Sequence, residues 1–440
     1  LRLNRIRSLT QPCQAPTAMH PRPLLSALFF TFSLSASAND WPSWRGPNGD
    51  GKVPDAPTYP TEWRARKNIA WRVDLPDRGN SSPIVSGDRL FLTQSENEGR
   101  LRSLLCIDTK DGKTLWKKTI DYGKAEQTHK TNPHCPASPV TDGSVVFAWH
   151  GNAGLHAYDF EGNEKWSRDL GDDYAHIWGP HAASPVLSGD GLFIHAGPGP
   201  VQRLFALNKD NGEIIWKAEL DEFESDDAKQ FKGSWATPLI IDNGGRSELL
   251  LGLPGFLTSF DPKTGKEFWR VAGPSHLCYT NVMAGGGRAL YYSGYGGPGL
   301  GVRLPAATET GDLTSSHRLW ADPPKGKNQN PQRIGSGQII GDHLYLLNEP
   351  GVMQCSLVAT GEILWRERLS ANSWSSMNLI GKTLYVNDTK GTTYLIEPDP
   401  AAMKVLATNP VDENQHTNAS LAFAGGRIYF RTDAYLYAVE

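Results

Sequence analysis

The stretch THKTNPHCPASPV (128–140) puts two histidines and a cysteine, His129, His134 and Cys135, within seven residues, and HIWGPHAASPV (176–186) adds His176 and His181. Imidazole nitrogens and thiolates are the ligands zinc prefers, three or four of them at about 2.0–2.3 Å. GYGGPG (294–299) has the spacing of a dinucleotide-binding loop, but it contains Pro298 and opens no helical pattern. DEFESDD (221–227) has the carboxylates for weak calcium binding but better suits a solvated acidic loop between the third and fourth repeats. No Gly-x-Ser-x-Gly or other nucleophile signature occurs. Whether the histidines can act together depends on the elements that carry them.

Those elements are exported ones. Met19 is followed by His20, Arg22, the apolar run LLSALFFTFSL (24–34) and the small-x-small pair Ala36 and Ala38. This pattern predicts a signal peptide over 1–38, cleaved after Ala38, with 1–18 upstream of the start. The apolar run is short for a bilayer-spanning helix. The chain is therefore expected in the periplasm or secreted. The prepeptide holds four Arg and no acid, so the remainder carries 40 basic and 47 acidic side chains, which argues against nucleic acid as a partner. The rest of the chain divides into an N-terminal extension (39–67) and a repeat region (68–440).

Within that region two lines recur. One runs from Asp or Asn through Gly to Trp: DTKDGKTLW (108–116), DFEGNEKW (159–166), NKDNGEIIW (208–216), DPKTGKEFW (261–269), LVATGEILW (357–365), and a stretched TETGDLTSSHRLW (308–320). The other is a Ser, Thr or Asn anchor leading an apolar strand and a Gly turn. Its anchors are Ser82, Ser138, Ser184, Thr237, Asn281, Ser336, Ser376 and Ser420. Short strands at this spacing form antiparallel hairpins, and four per roughly 45 residues make a propeller blade. Eight anchors predict an all-β, eight-bladed propeller. The last repeat lacks its Trp strand, and NIAWRVDL (68–75) is expected to supply it and close the ring. Trp71, Trp116, Trp166, Trp216, Trp269, Trp320 and Trp365 are expected as structural staples between blades, while ATNPVD (407–412) lacks one.

This repeat resembles the pyrroloquinoline-quinone (PQQ) repeat propellers, and the opening DWPSWRGPNGDG (40–51) resembles the start of many exported members. The resemblance covers about residues 63–440 and implies the fold. Two groups share it: quinoprotein alcohol dehydrogenases, and a non-enzymatic group typified by the propeller lipoprotein of the outer-membrane barrel-assembly machinery. The dehydrogenases resemble one another in a vicinal Cys–Cys ring and in Glu, Asn and Asp around calcium. This chain has no adjacent cysteines and no stretch matching that set. The expected function is a non-catalytic scaffold for protein or cell-envelope contacts, acting as a monomer, with no cofactor, metal or catalytic residue. The alternatives are a PQQ- and calcium-dependent oxidoreductase, or a carbohydrate-binding propeller suggested by the aromatic rim.

The anchors also give the repeats a common register. One residue earlier, every blade has a small residue, as crowding at the channel requires. The second and third residues earlier vary, and these are expected to surround one mouth of the channel. The candidate rim comprises His134, Cys135, His176, Trp178, His181, Trp235, Cys278, Tyr279, Arg333, Trp374 and His416. Cys135 and Cys278 occupy equivalent positions three blades apart, as do Cys106 and Cys355 on other blades, which predicts no disulfide within either pair.

Overall fold

Each repeat pairs its strands in chain order from the channel outwards. A computed structural model describes residues 40–53, 56, 58–172, 174, 176, 178–198, 202–220, 232–322, 332–411 and 415–440, all within the unit Ala36–Glu440. The expected signal peptide and the acidic loop 221–227 lie outside the described residues. In blade 1, Ile84–Ser86, Arg89–Glu96, Leu101–Asp108 and Thr114–Asp121 form one antiparallel sheet. Its two central strands are buried on both faces because blades stack on each side of them. Its outer strand is exposed at every second residue. Seven further sheets repeat this order.

Ring closure follows the sequence expectation. Blade 8 contributes Ala422–Ala424, Arg427–Arg431 and Tyr435–Val439, and Ile69–Asp74 pairs antiparallel with the last of these. The strand before the first blade and the last strand of the eighth thus share one sheet, which closes the ring and gives blade 8 its outer strand.

The tryptophans bridge blades as their spacing suggests. Trp71, Trp116, Trp166, Trp216, Trp320 and Trp365 each donate the indole N–H to a carbonyl in the turn of the next blade, at 2.8–3.1 Å. Five of these rings also lie against that turn's glycine, as Trp116 does on Gly162, whose φ is +85°. A Cβ there would meet the ring at about 3 Å, so glycine serves both the turn and the close approach. Trp269 departs from the pattern. The stretched turn of blade 5 lays Gly311–Asp312 along the outer strand of blade 4, and Trp269 donates to the buried Glu248 carboxylate at 2.7 Å instead.

The residue opposite each staple is small where the staple is large: Cys106, Ala157, Ala206, Ser259, Gly301, Cys355 and Ala438 face Trp116, Trp166, Trp216, Trp269, Trp320, Trp365 and Trp71. Blade 7 inverts the pair, with Leu395 facing Ala407. One larger and one smaller residue still face each other, with their strands exchanged.

Candidate functional site

The anchors form a closed circuit of hydrogen bonds. The backbone N–H of Ser82 donates to Ser138 Oγ, that of Ser138 to Ser184 Oγ, that of Ser184 to Thr237 Oγ1, and that of Thr237 to Asn281 Oδ1. The N–H of Asn281 donates to Ser336 Oγ, that of Ser336 to Ser376 Oγ, that of Ser376 to Ser420 Oγ, and that of Ser420 back to Ser82 Oγ. All eight bonds measure 2.8–3.0 Å. The requirement is for a short side chain with an acceptor oxygen, which explains why only Ser, Thr and Asn stand there. The preceding small residues are all buried. At Gly335 a Cβ would lie 2.0 Å from Ser375 O, so the crowding is real.

The N-terminal segment 40–53 crosses the channel beyond this ring. Trp41 bridges to Val85 of blade 1, and Thr141 of blade 2 donates its N–H to Pro42 O at 2.9 Å. Lys52–Val53 adds a parallel strand to Asn378–Ile380 at the inner edge of blade 7. Arg45 is buried, and its guanidinium donates to Asp50 O at 2.8 Å and to Met377 O at 3.2 Å. The DWPSWRGPNGDG opening is therefore a floor, with Gly51 at φ +74° where a Cβ would strike Arg45, Gln338 and Asn378.

Above the floor lies a cavity of about 470 Å³. Its lining includes the residue two before each anchor in all eight blades: Asn80, Pro136, Ala182, Trp235, Tyr279, Ile334, Trp374 and Asn418. Six anchors line it too, and Trp44 of the floor segment reaches it. Loops add His129, Lys130, Thr131, Asn132, Trp178, Tyr295, Gln332 and Glu349.

Four members of the sequence-derived rim, Trp178, Trp235, Tyr279 and Trp374, thus share one cavity. The others are not among its lining residues. Cys135, His181, Cys278 and Arg333 lie three before their anchors and are buried on the far side of the strand, within the blades. Alternation separates them from the lining: positions two before the anchor and at the anchor share the channel face. His134 is half-buried, and its Nε2 lies 3.2 Å from Glu126 O. His176 packs its ring edge-on to Trp235, centroids 4.8 Å apart. His416 is exposed, with Nδ1 3.1 Å from Asp433 Oδ2.

The opening histidines do not converge. His129 Nδ1 lies 2.6 Å from Thr131 Oγ1, and Cys135 Sγ faces His150 Nδ1 at 3.9 Å. Burial pushes His181 down to about 3, His176 to about 4 and His195 to about 4, so all three are neutral at pH 7. Burial pushes the thiols of Cys135 up to about 11 and Cys278 to about 12, so both stay protonated. All four described cysteines are free. Among the described residues no three His, Cys, Asp or Glu are grouped to hold a metal.

A calcium-bound quinone does not fit this lining. Among the described residues its only carboxylate is Glu349, which accepts Trp374 Nε1 at 3.1 Å, and no aspartate lines it. The cysteines nearest the channel face away from it on separate blades.

Sequence reasoning missed Asn80, Asn418 and Tyr295. The two asparagines stand in the column two residues before the anchor, where an amide suits a solvated turn as well as a cavity wall. Tyr295 lies in GYGGPG, the loop dismissed as a nucleotide motif.

Comparison with known proteins agrees with this architecture. The model of the family described as "Outer membrane protein assembly factor BamB" matches residues 65–251 and 103–335. A BamB of Alkalilimnicola ehrlichii is 28% identical over 145 residues, 32% of this chain, and the match spans 33% of that relative's length. The crystal structure of BamB from Moraxella catarrhalis superposes with a TM-score of 0.57 at 15% identity, covering 84% of this chain and 96% of that one. A europium-containing methanol dehydrogenase superposes with a TM-score of 0.66 at 10% identity, covering 91% and 98%. At such identities these structures share the fold alone, and the fold serves both an assembly factor and an enzyme. The extent of the family match decides membership: this chain belongs to the PQQ-like propeller family described as outer membrane protein assembly factor BamB.

Proposed function

We propose that this chain is an exported, non-catalytic propeller that serves as a rigid scaffold in the cell envelope and engages a protein or envelope component through the open mouth of its channel. The cavity carries this reading. It is closed below by the chain's own N-terminal segment, and its wall is built of aromatic and amide side chains held by the anchor ring. A wall already fixed by its own hydrogen bonds loses little conformational freedom when a partner binds, which favours recognition. The name of the matched relatives, an outer membrane assembly factor, supports an envelope setting and a protein partner. No helix among the described residues is long and apolar enough to cross a membrane.

Two measurements test the reading. Purified protein supplied with PQQ, Ca²⁺ and an electron-accepting dye is expected to retain no quinone absorbance through gel filtration and to oxidise no alcohol. Dye reduction with retained quinone would overturn it. Retention on an immobilised envelope fraction should fall in a Trp178→Ala, Trp374→Ala double variant and persist in Leu406→Ser, which alters an exposed outer-strand residue. Equal retention by all forms would remove the mouth as the contact surface.

A further inference from the structure

Resting on the mouth as the working surface, we propose that the cavity binds a neutral carbohydrate, one or two pyranose rings entering from the open end. Its volume, about 470 Å³, lies within the roughly 300–1,000 Å³ of small-molecule sites.

The aromatic walls are the first observation. Trp235 and Tyr279 meet at 66° with centroids 5.2 Å apart, and Trp178 and Tyr295 at 36° and 6.0 Å. Neither pair is stacked parallel, so the aromatic lining presents inclined faces. The electron-rich faces suit the electron-poor C–H face of a pyranose. The rings are preset: Trp235 Nε1 donates to Pro180 O at 3.0 Å, and Trp374 Nε1 donates to Glu349.

The base of the cavity is the second. Ser138, Ser184, Ser376 and Ser420 each accept a neighbour's N–H at Oγ, which leaves the hydroxyl proton to donate to an occupant. Asn418 Oδ1 and Trp178 Nε1 are buried with no hydrogen-bond partner among the described residues. Sugar hydroxyls donate and accept at once, and both capacities are on offer here.

Charge and backbone disfavour polyanions and a strand-adding peptide. Among the described residues, Lys130 and Glu349 are the lining's one lysine and one carboxylate. Phosphates and polyanions need clustered guanidinium or ammonium groups. A peptide that binds by β-augmentation needs a free sheet edge. The N–H groups of the anchors are spent on the ring, and the edge of Asn378–Ile380 is taken by Lys52–Val53.

The test is a glycan array of neutral and charged oligosaccharides, followed by tryptophan-fluorescence titration with maltotriose, cellotriose and N,N′,N″-triacetylchitotriose. Saturable binding to a neutral glycan is expected. Trp374→Ala should weaken it about tenfold, a loss that stacking-faithful Trp374→Phe largely avoids, and the thermal midpoint of each variant should stay near that of the parent. Binding only to charged glycans, binding indifferent to Trp374→Ala, or no neutral glycan bound by about 10 mM would overturn the proposal. A sugar-negative protein that still loses envelope retention on removal of Trp178 and Trp374 would sink the carbohydrate and leave the scaffold, with a protein segment as occupant.

Discussion

Ser336 accepts the N–H of Asn281 at 2.9 Å and passes its own N–H to Ser376 at 3.0 Å, both out of water. Ser336→Ala strands a buried donor, which costs about 1–3 kcal/mol. Its urea midpoint should drop, whereas Ser336→Thr keeps the oxygen, as Thr237 does in blade 4, and should drop less. Equal losses would mean that the ring is not the source. The buried histidines set a second expectation. His181, His176 and His195 titrate near 3 to 4 in the folded chain and near 6.5 when unfolded. Between about pH 6.5 and 4 the unfolded state binds more protons, so stability falls as pH falls through that window. Their contribution is flat above pH 7. Melting temperatures across pH 4–8 check this, and His181→Gln should flatten the slope in the acid range. The Ser, Thr and Asn column was plain in the sequence. That it forms a circuit was not, because each bond joins two different repeats and no single repeat contains both partners.

At the scale of the element, the inverted pair in blade 7 is the sharpest case. Leu395 is buried and is the larger member of its pair, and Ala407 opposite is the smaller. Ala407→Trp alone should overpack the blade by about 1–3 kcal/mol. Leu395→Ala alone should leave a cavity costing about 2–5 kcal/mol. The double variant restores the arrangement of the other blades and should lose less than the sum, a coupling that denaturant titration of the four proteins measures. Strictly additive losses would contradict the volume exchange. Hairpins, blade count and the closing strand were legible because strand period and Gly turns are local. The facing of the rim was less so. The residues before each anchor mostly precede the regular strand, so sequence order alone did not say whether the second or the third turns toward the channel. Cys135, His181, Cys278 and Arg333 went to the blade interior, and Asn80 and Asn418 to the cavity.

For the whole molecule, the floor decides which end of the channel can work. Arg45 reaches residues about 300 positions away, at Gly337 and Met377, a tether no sequence pattern announces. Burial lowers Arg45 to about 10, so it stays charged at pH 7, and its carbonyl partners lose their donor in Arg45→Ala. Hydrogen exchange over 40–53 should then rise while the blades keep their protection. Faster exchange throughout would mean that the segment holds the ring together and is no mere floor. The opposite, open mouth is the proposed contact surface. A photo-cross-linking amino acid at Tyr295, at the mouth, compared with one at Leu406, equally exposed on an outer strand, tests it most directly in intact envelopes. Discrete adducts from position 295 and none from 406 are expected. Adducts of equal yield from both, or from 406 alone, would contradict the account.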